Sequence, residues 1–250
     1  MEFQGRNLKD PLFNELAKYA GRFAQPVFFG DRRQHSAPFN NGSGFFVCLE
    51  GRTLGVTCEH VLDGFRRALG TNPSYAFQFG PVRIDPERYL VAEDKTLDLA
   101  VLNLSSFAGQ PDGIDSATCL VPGSWPPKDF DDDAVLALAG FPGTGRDRLE
   151  ADYFRFHAFS AGTTVVASRG PTHFYTRIEL EESLVAGEKT TVVENLCGLS
   201  GGPVFVWRKG IILTAELVGV VKEYQEPLDL LYVRRVGCIQ RDGTLAGEPQ

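Results

Sequence analysis

Apolar residues in this chain come in short runs of up to eight, and the runs are broken by Gly, Pro, Asn or Asp. That pattern constrains the fold more than any other feature. The runs are Val27–Phe29, Gly44–Leu49, Thr53–Thr57, Tyr75–Phe79, Leu99–Leu104, Val135–Ala139, Tyr153–Phe159, Thr163–Ala167, Phe174–Ile178, Val204–Val206, Leu217–Val221 and Leu230–Val233. Segments of this length between turn formers read as strands, about a dozen of them, and predict an all-β sandwich or barrel. The 27 glycines and 15 prolines suit many tight turns. One exception precedes the runs. Leu12, Phe13, Leu16, Ala17 and Ala20 space as an amphipathic helix, with Asp10 as its cap, Pro11 in its first turn and Gly21 at its end. With 250 residues the chain can form one large β unit or two small domains. A chain of this size hides roughly 70–75% of its unfolded surface, so a sizeable core is affordable.

Composition narrows the functional classes. The net charge is −7 and no Lys/Arg block exceeds two residues, so no phosphate-binding face is expected and nucleic acid is not a predicted partner. No apolar run approaches a membrane span, and a membrane is not a predicted partner either. Cysteines fall at 48, 58, 119, 197 and 238, an odd number without a close CxxC pair. That argues against a disulfide framework or a structural zinc site, and predicts five free thiols. The opening residues, MEFQGRNLKDPLF, lack the basic and apolar regions of a secretory signal. Together these features predict a reducing, cytoplasmic location. Asp131, Asp132 and Asp133 read as a solvated loop, since they lack the alternating spacing of a calcium site. His35, His157 and His173 share no metal-ligand spacing, and no metal or cofactor is expected.

Three local segments carry chemistry. Gly42 to Val47 and Leu54 to Thr57 form a hairpin turning at Glu50-Gly51, and its second strand delivers His60 at its end. Asp98 stands at the mouth of the buried strand Leu99–Leu102. Ser200 lies in the glycine-rich turn Gly198-Leu199-Ser200-Gly201-Gly202-Pro203, just before a strand. A serine hydroxyl is a poor nucleophile until a base takes its proton, and histidine titrates in the right range for that task. An acid must then fix the imidazole tautomer and stabilise its charged form. Glycines around the serine allow a sharp bend that aims N–H groups at a developing oxyanion, here those of Gly198 and Ser200. Taken singly, each segment has a plain structural reading. Their joint occurrence in the order His60, Asp98, Ser200 is what points to catalysis.

These segments resemble the trypsin-like, chymotrypsin-fold serine peptidases. TCEHVL is similar to that family's histidine motif, LDLAVLNL to its aspartate motif and GLSGGPV to its nucleophile motif. GFPG at 140–143 resembles a turn found early in the family's second barrel; with no Lys-Ser/Thr after it, it is not a phosphate loop. The resemblance spans roughly residues 25–238. It implies two six-stranded β-barrels with the site in the cleft between them. The implied divisions are 1–24 for the helical segment, 25–118 for a first barrel with His60 and Asp98, 119–133 for a linker and 134–250 for a second barrel with Ser200. It implies a polypeptide substrate and an acyl-enzyme mechanism.

Two departures place the chain with disulfide-free members of that family. Cys58-Glu59 replaces small residues before the histidine, with Val61 where secreted members carry a cysteine, and Leu199 replaces the aspartate before the serine. In secreted relatives that aspartate receives a new N-terminal ammonium after cleavage. An apolar Leu199 cannot hold it, so the oxyanion hole is expected to be either preformed or set by something else: a regulatory protein partner, a lid loop or oligomerisation. Candidate substrate-binding residues are Glu194, Lys222 and Glu223. An acid at Glu194 would favour Arg or Lys before the cut bond; a solvated loop is its plainer reading. Cys197 reads equally as a pocket residue or a buried thiol. Two alternatives stand beside the protease reading. One is an inert scaffold that binds protein. The other is an esterase on another fold, which the position of the serine last in the chain disfavours.

Overall fold

The computed structural model describes residues 11–31, 40–131, 134–150, 153–178, 184–185 and 196–247. Helix α1 (Pro11–Phe23) opens the chain. Leu16, Ala20 and Phe23 fall on one face at helical spacing and are buried. The helix does not stop at Gly21. It runs on to Phe23, because that ring packs on Phe205 at 5.6 Å while Tyr19 meets Phe205 and Trp207 edge-on. Asp10, the expected cap, lies outside the described residues.

The first half of the molecule is one curled sheet. Its strands are β1 (Ala24–Gly30), β2 (Asn40–Leu49), β3 (Arg52–Thr57), β4 (Ala76–Phe79), β5 (Val82–Ile84), β6 (Leu90–Asp94), β7 (Leu99–Asn103) and β8 (Cys119–Leu120). The order is β5-β4-β1-β2-β3-β7-β6, antiparallel throughout, and β8 adds in parallel beside Phe46 and Val47 of β2. Phe45, Phe46, Phe77 and Phe79 are fully buried, each worth about 1.5–3 kcal/mol of apolar burial. Helix α2 (Glu59–Thr71) follows β3 directly, and α3 (Pro86–Tyr89) is a single turn before β6.

The second half contains β9 (Val135–Gly140), β10 (Arg146–Glu150), β11 (Tyr153–Phe156), β12 (Phe159–Arg169), β13 (His173–Arg177), β14 (Leu184–Val185), β15 (Pro203–Arg208), β16 (Thr214–Gln225) and β17 (Leu230–Arg235). The path β13-β17-β16-β15-β9-β12 closes on itself, because β12 also pairs with β13; β14 adds to β12. β10 and β11 form a separate hairpin. Alternation along β9 and β15 divides the core as a pleated strand must. Leu136, Leu138, Val204 and Val206 face the interior of this barrel. Ala137, Ala139 and Phe205 face α1 and the first half.

The double-barrel class therefore stands, with one difference in count. The second barrel closes with six strands, whereas the first half has eight and, among the described residues, no pairing that joins its ends. The short strands β5, β8 and β14 are too brief to show a period of two in the sequence. No disulfide joins any of the five cysteines. Among the described residues no helix is long and apolar enough to cross a membrane.

Candidate active site

His60 is not at a strand end. It occupies the first turn of α2, which begins as soon as β3 ends. Val61, Leu62 and Phe65 bury the inner face of that helix, and this anchors its first turn. The His60 side chain stays half exposed, at 48%, while Asp98 beside it is 9% exposed. Three bonds lock the pair. The His60 amide donates to Asp98 Oδ1 at 3.1 Å, and the ring Nδ1 lies 3.0 Å from Oδ1 and 2.9 Å from Oδ2. A carboxylate only accepts, so Nδ1 carries a proton, and in the neutral ring the lone pair is on Nε2. Asp98 adopts a left-handed backbone, φ +56°, at the entrance to β7.

Cys58 lies close to this pair. Its thiol is fully buried and donates to the Val221 carbonyl at 3.3 Å. Burial raises the thiol pKa well above its ordinary value, and the charge of Asp98 adds to the effect. The ligand atoms of Cys58, His60 and Asp98 lie within 4.8 Å of one another, the one such cluster among the described residues. Here Sγ and Nδ1 both act as hydrogen-bond donors, the reverse of what a cation asks of them.

The Ser200 turn is held by main chain. The Ser43 amide donates to Ser200 O at 2.8 Å, Gly201 N to Val221 O at 2.7 Å and Gly202 N to Leu199 O at 2.8 Å. Two glycines make the bend feasible. Gly198 has φ +105°, and a Cβ there would come 2.7 Å from Phe141 O and 2.6 Å from Asn41 Nδ2. Gly201 has φ +94°, and a Cβ there would collide with the Ser43 carbonyl. Leu199 is buried in the second barrel's core. Among the described residues, neither the Gly198 nor the Ser200 N–H donates to any group. Ser200 Oγ has no hydrogen bond to a described residue, His60 included.

Ser43 was not singled out by the sequence reading, yet it joins the halves. This fully buried β2 side chain donates to Gly198 O at 2.6 Å and accepts from Phe141 N at 2.8 Å. Thr57 Oγ1 in turn donates to Ser43 O at 2.7 Å. The available signal was a serine between two glycines inside a strand, a sign of close backbone approach. Asn41 was also missed. Its Nδ2 donates to Phe141 O at 2.7 Å, and its Oδ1 accepts from Arg146 at 3.2 Å.

The substrate-binding candidates are distributed unevenly. Glu194 lies outside the described residues. Lys222 is half-buried in β16, with its Nζ 4.9 Å from the centre of the Tyr232 ring. Glu223 is exposed, one residue on, where the pairing of β16 with β17 shifts register between Val221 and Glu223. Because Val221 O accepts from both Gly201 N and Cys58 Sγ, this bulged stretch runs directly alongside the cluster.

Two curled antiparallel sheets carry a His–Asp pair and a glycine-bent serine turn, and the family comparison agrees with this fold. The family model of the trypsin-like peptidase domain matches residues 42–215. The chain belongs to that family. Among solved structures it is similar to the Rv3671c protease of M. tuberculosis in its active form, with 18% identity, a TM-score of 0.47, and coverage of 96% of this chain and 89% of that one. It is also similar to a structure from work on the coupled folding and binding of the intrinsically disordered Sesbania mosaic virus VPg protein. There the identity is 14% and the TM-score 0.38, with 86% of this chain and 93% of that one covered. No curated protein matches the chain significantly.

Proposed function

We propose that this protein is a serine endopeptidase in which Ser200 is the nucleophile, His60 the general base and then acid, and Asp98 the group that orients and stabilises the imidazolium. The observation that carries the proposal is the His60–Asp98 pair, whose Nδ1 is fixed by the carboxylate so that Nε2 is left to accept a proton. Ser200 Oγ attacks the carbonyl carbon of the scissile peptide, and its proton passes to Nε2. Charge develops on the carbonyl oxygen, where the unengaged N–H groups of Gly198 and Ser200 can receive it. As the tetrahedral species collapses, the C–N bond breaks and the amine leaves with the proton from Nε2. Water then attacks the ester of Ser200 by the same route and releases the acid. A Ser200–His60 hydrogen bond is expected to form once a peptide is bound, since such bonds often tighten only in the complex.

The same unengaged N–H groups support an oxyanion site that is formed without N-terminal cleavage. Leu199, packed in the core, offers no acceptor for a new terminal ammonium. We therefore place control by a regulatory protein partner at access to the cleft rather than at the oxyanion site. The alternative is an inert scaffold. Covalent labelling of the full-length protein by a fluorophosphonate, together with peptide hydrolysis, decides between them. Wild type should label, and Ser200→Ala should not. Equal labelling of the two, or none in either, rejects the assignment of the nucleophile.

A further inference from the structure

The barrel that supplies Ser200 also sends one charged side chain into the turn that carries Asp98. Arg234 of β17 is 2% exposed and is the largest of the fully buried side chains. A guanidinium out of water needs partners for its donors. Its Nε donates to Leu97 O at 2.8 Å, and one terminal nitrogen donates to Thr96 O at 3.0 Å and to the Tyr232 hydroxyl at 3.3 Å. The Tyr232 ring lies 5.6 Å below the guanidinium carbon.

Those two carbonyls belong to the residues immediately before Asp98. The Leu97 carbonyl shares its peptide plane with the Asp98 nitrogen, so whatever fixes that plane helps to fix the Asp98 backbone. That backbone is left-handed, a region that non-glycine residues hold only when their surroundings impose it. The turn is gripped from both sides. Asp94 Oδ1 accepts from the amides of Thr96 at 2.7 Å and Leu97 at 2.8 Å, and Arg234 takes the carbonyls of the same two residues. The two charges also reach the same buried spot. Beyond the effect of burial, Asp98 pushes the Cys58 thiol pKa up and Arg234 pulls it down.

We propose that Arg234 is a positioning residue for the Asp98 carboxylate. By fixing the Thr96–Asp98 peptides it aligns the acid on His60, and it makes that alignment depend on the second barrel. The proposal rests on the triad reading above. Its test compares full-length wild type with Arg234→Met and Arg234→Lys, each confirmed folded. The readouts are kcat, KM, the fluorophosphonate labelling rate and the NMR signal of the His60 Nδ1 proton. For Arg234→Met, kcat and the labelling rate should fall on the order of 10²-fold, the usual effect of a misplaced group, with KM little changed. The Nδ1 proton signal should shift or broaden. Arg234→Lys, which keeps the charge and one donor, should fall between; it carries the test if the methionine variant does not fold. A folded variant that melts earlier but keeps wild-type kcat and an unaltered Nδ1 signal overturns the proposal. If the wild type itself neither labels nor hydrolyses, the triad reading fails, while the Nδ1 signal still decides whether Arg234 holds Asp98 on His60.

Discussion

The two halves of the molecule hold their contributions to the candidate site by different means. In the first half the hold runs through side chains. The His60 ring and amide both bond the Asp98 carboxylate, and residue type decides the geometry. In the second half the bonds on Ser200 itself and on the two glycines after it are main chain, and one side chain, Ser43, reaches the turn at Gly198 O. Amides of Ser43, Gly201 and Gly202 and a carbonyl of Val221 fix the turn, and the Ser200 side chain is left free of hydrogen bonds to the described residues. The difference suits the roles proposed for them. A base must be kept in one tautomer, which needs a side-chain partner. A nucleophile must be able to change partners during the reaction, so its backbone is held and its hydroxyl is not.

Substitutions can break this contrast at either end. The largest effect is expected at Asp98. Asp98→Asn keeps the shape but can no longer impose the tautomer, so kcat should drop on the order of 10⁴-fold with the fold unchanged. Steady-state kinetics beside a circular dichroism spectrum would check this; a mild loss would mean that the side-chain hold does not set the tautomer. Next comes Gly198→Ala. Its Cβ would press on Phe141 O and Asn41 Nδ2, in a backbone region that L residues avoid. The Gly198 N–H should turn from the oxyanion position, costing about 10²–10³ in kcat, as for other lost oxyanion donors. KM should move far less.

Ser43→Ala tests whether the second half holds its own turn. It leaves Gly198 O and Phe141 N without their side-chain partner. Urea unfolding should show a loss of about 1–3 kcal/mol, the range for buried groups left unpaired. An unchanged midpoint would show that the Ser43 hydroxyl adds nothing to the hold on the serine turn, which would then rest on main-chain bonds such as that of the Ser43 amide to Ser200 O. The smallest effect is expected at Glu59, next to His60. Burial raises its carboxyl pKa, and Lys95 at 3.8 Å works against that. A raised folded value means stability that is present below the ordinary carboxylate range and lost as the pH rises through the raised one. Glu59→Gln removes that loss. The variant should match wild type at pH 3 and exceed it slightly at pH 7, as read from urea midpoints at the two values.

Much of the candidate site was legible because its logic is local. The bend at Ser200 is written in adjacent glycines. Asp98 announces itself as an acid before a buried run, and the His60 hairpin is set by its alternating strands. The helix that carries His60 was missed although Val61, Leu62 and Phe65 keep helical spacing; the strand reading of Thr53–Thr57 was simply carried on past its end. Ser43 and Arg234 were illegible for a stronger reason. Their bonds reach Gly198 and Leu97, separated from them by 155 and 137 positions.

The sequence by itself determined that the chain would be β-rich, that its strands would alternate and turn early, and which three residue types would be available for acid–base chemistry. These follow from short-range causes: the period of a strand, the φ freedom of glycine and the proton affinity of imidazole. Only the tertiary structure decided that the second barrel closes with six strands while the first half keeps eight. It alone decided that Ser43 bridges the halves and that Arg234 is buried against the Asp98 turn. Those outcomes depend on which distant backbone groups remain unsatisfied once the two sheets are packed, and that is fixed by the packing rather than by any local run of residues.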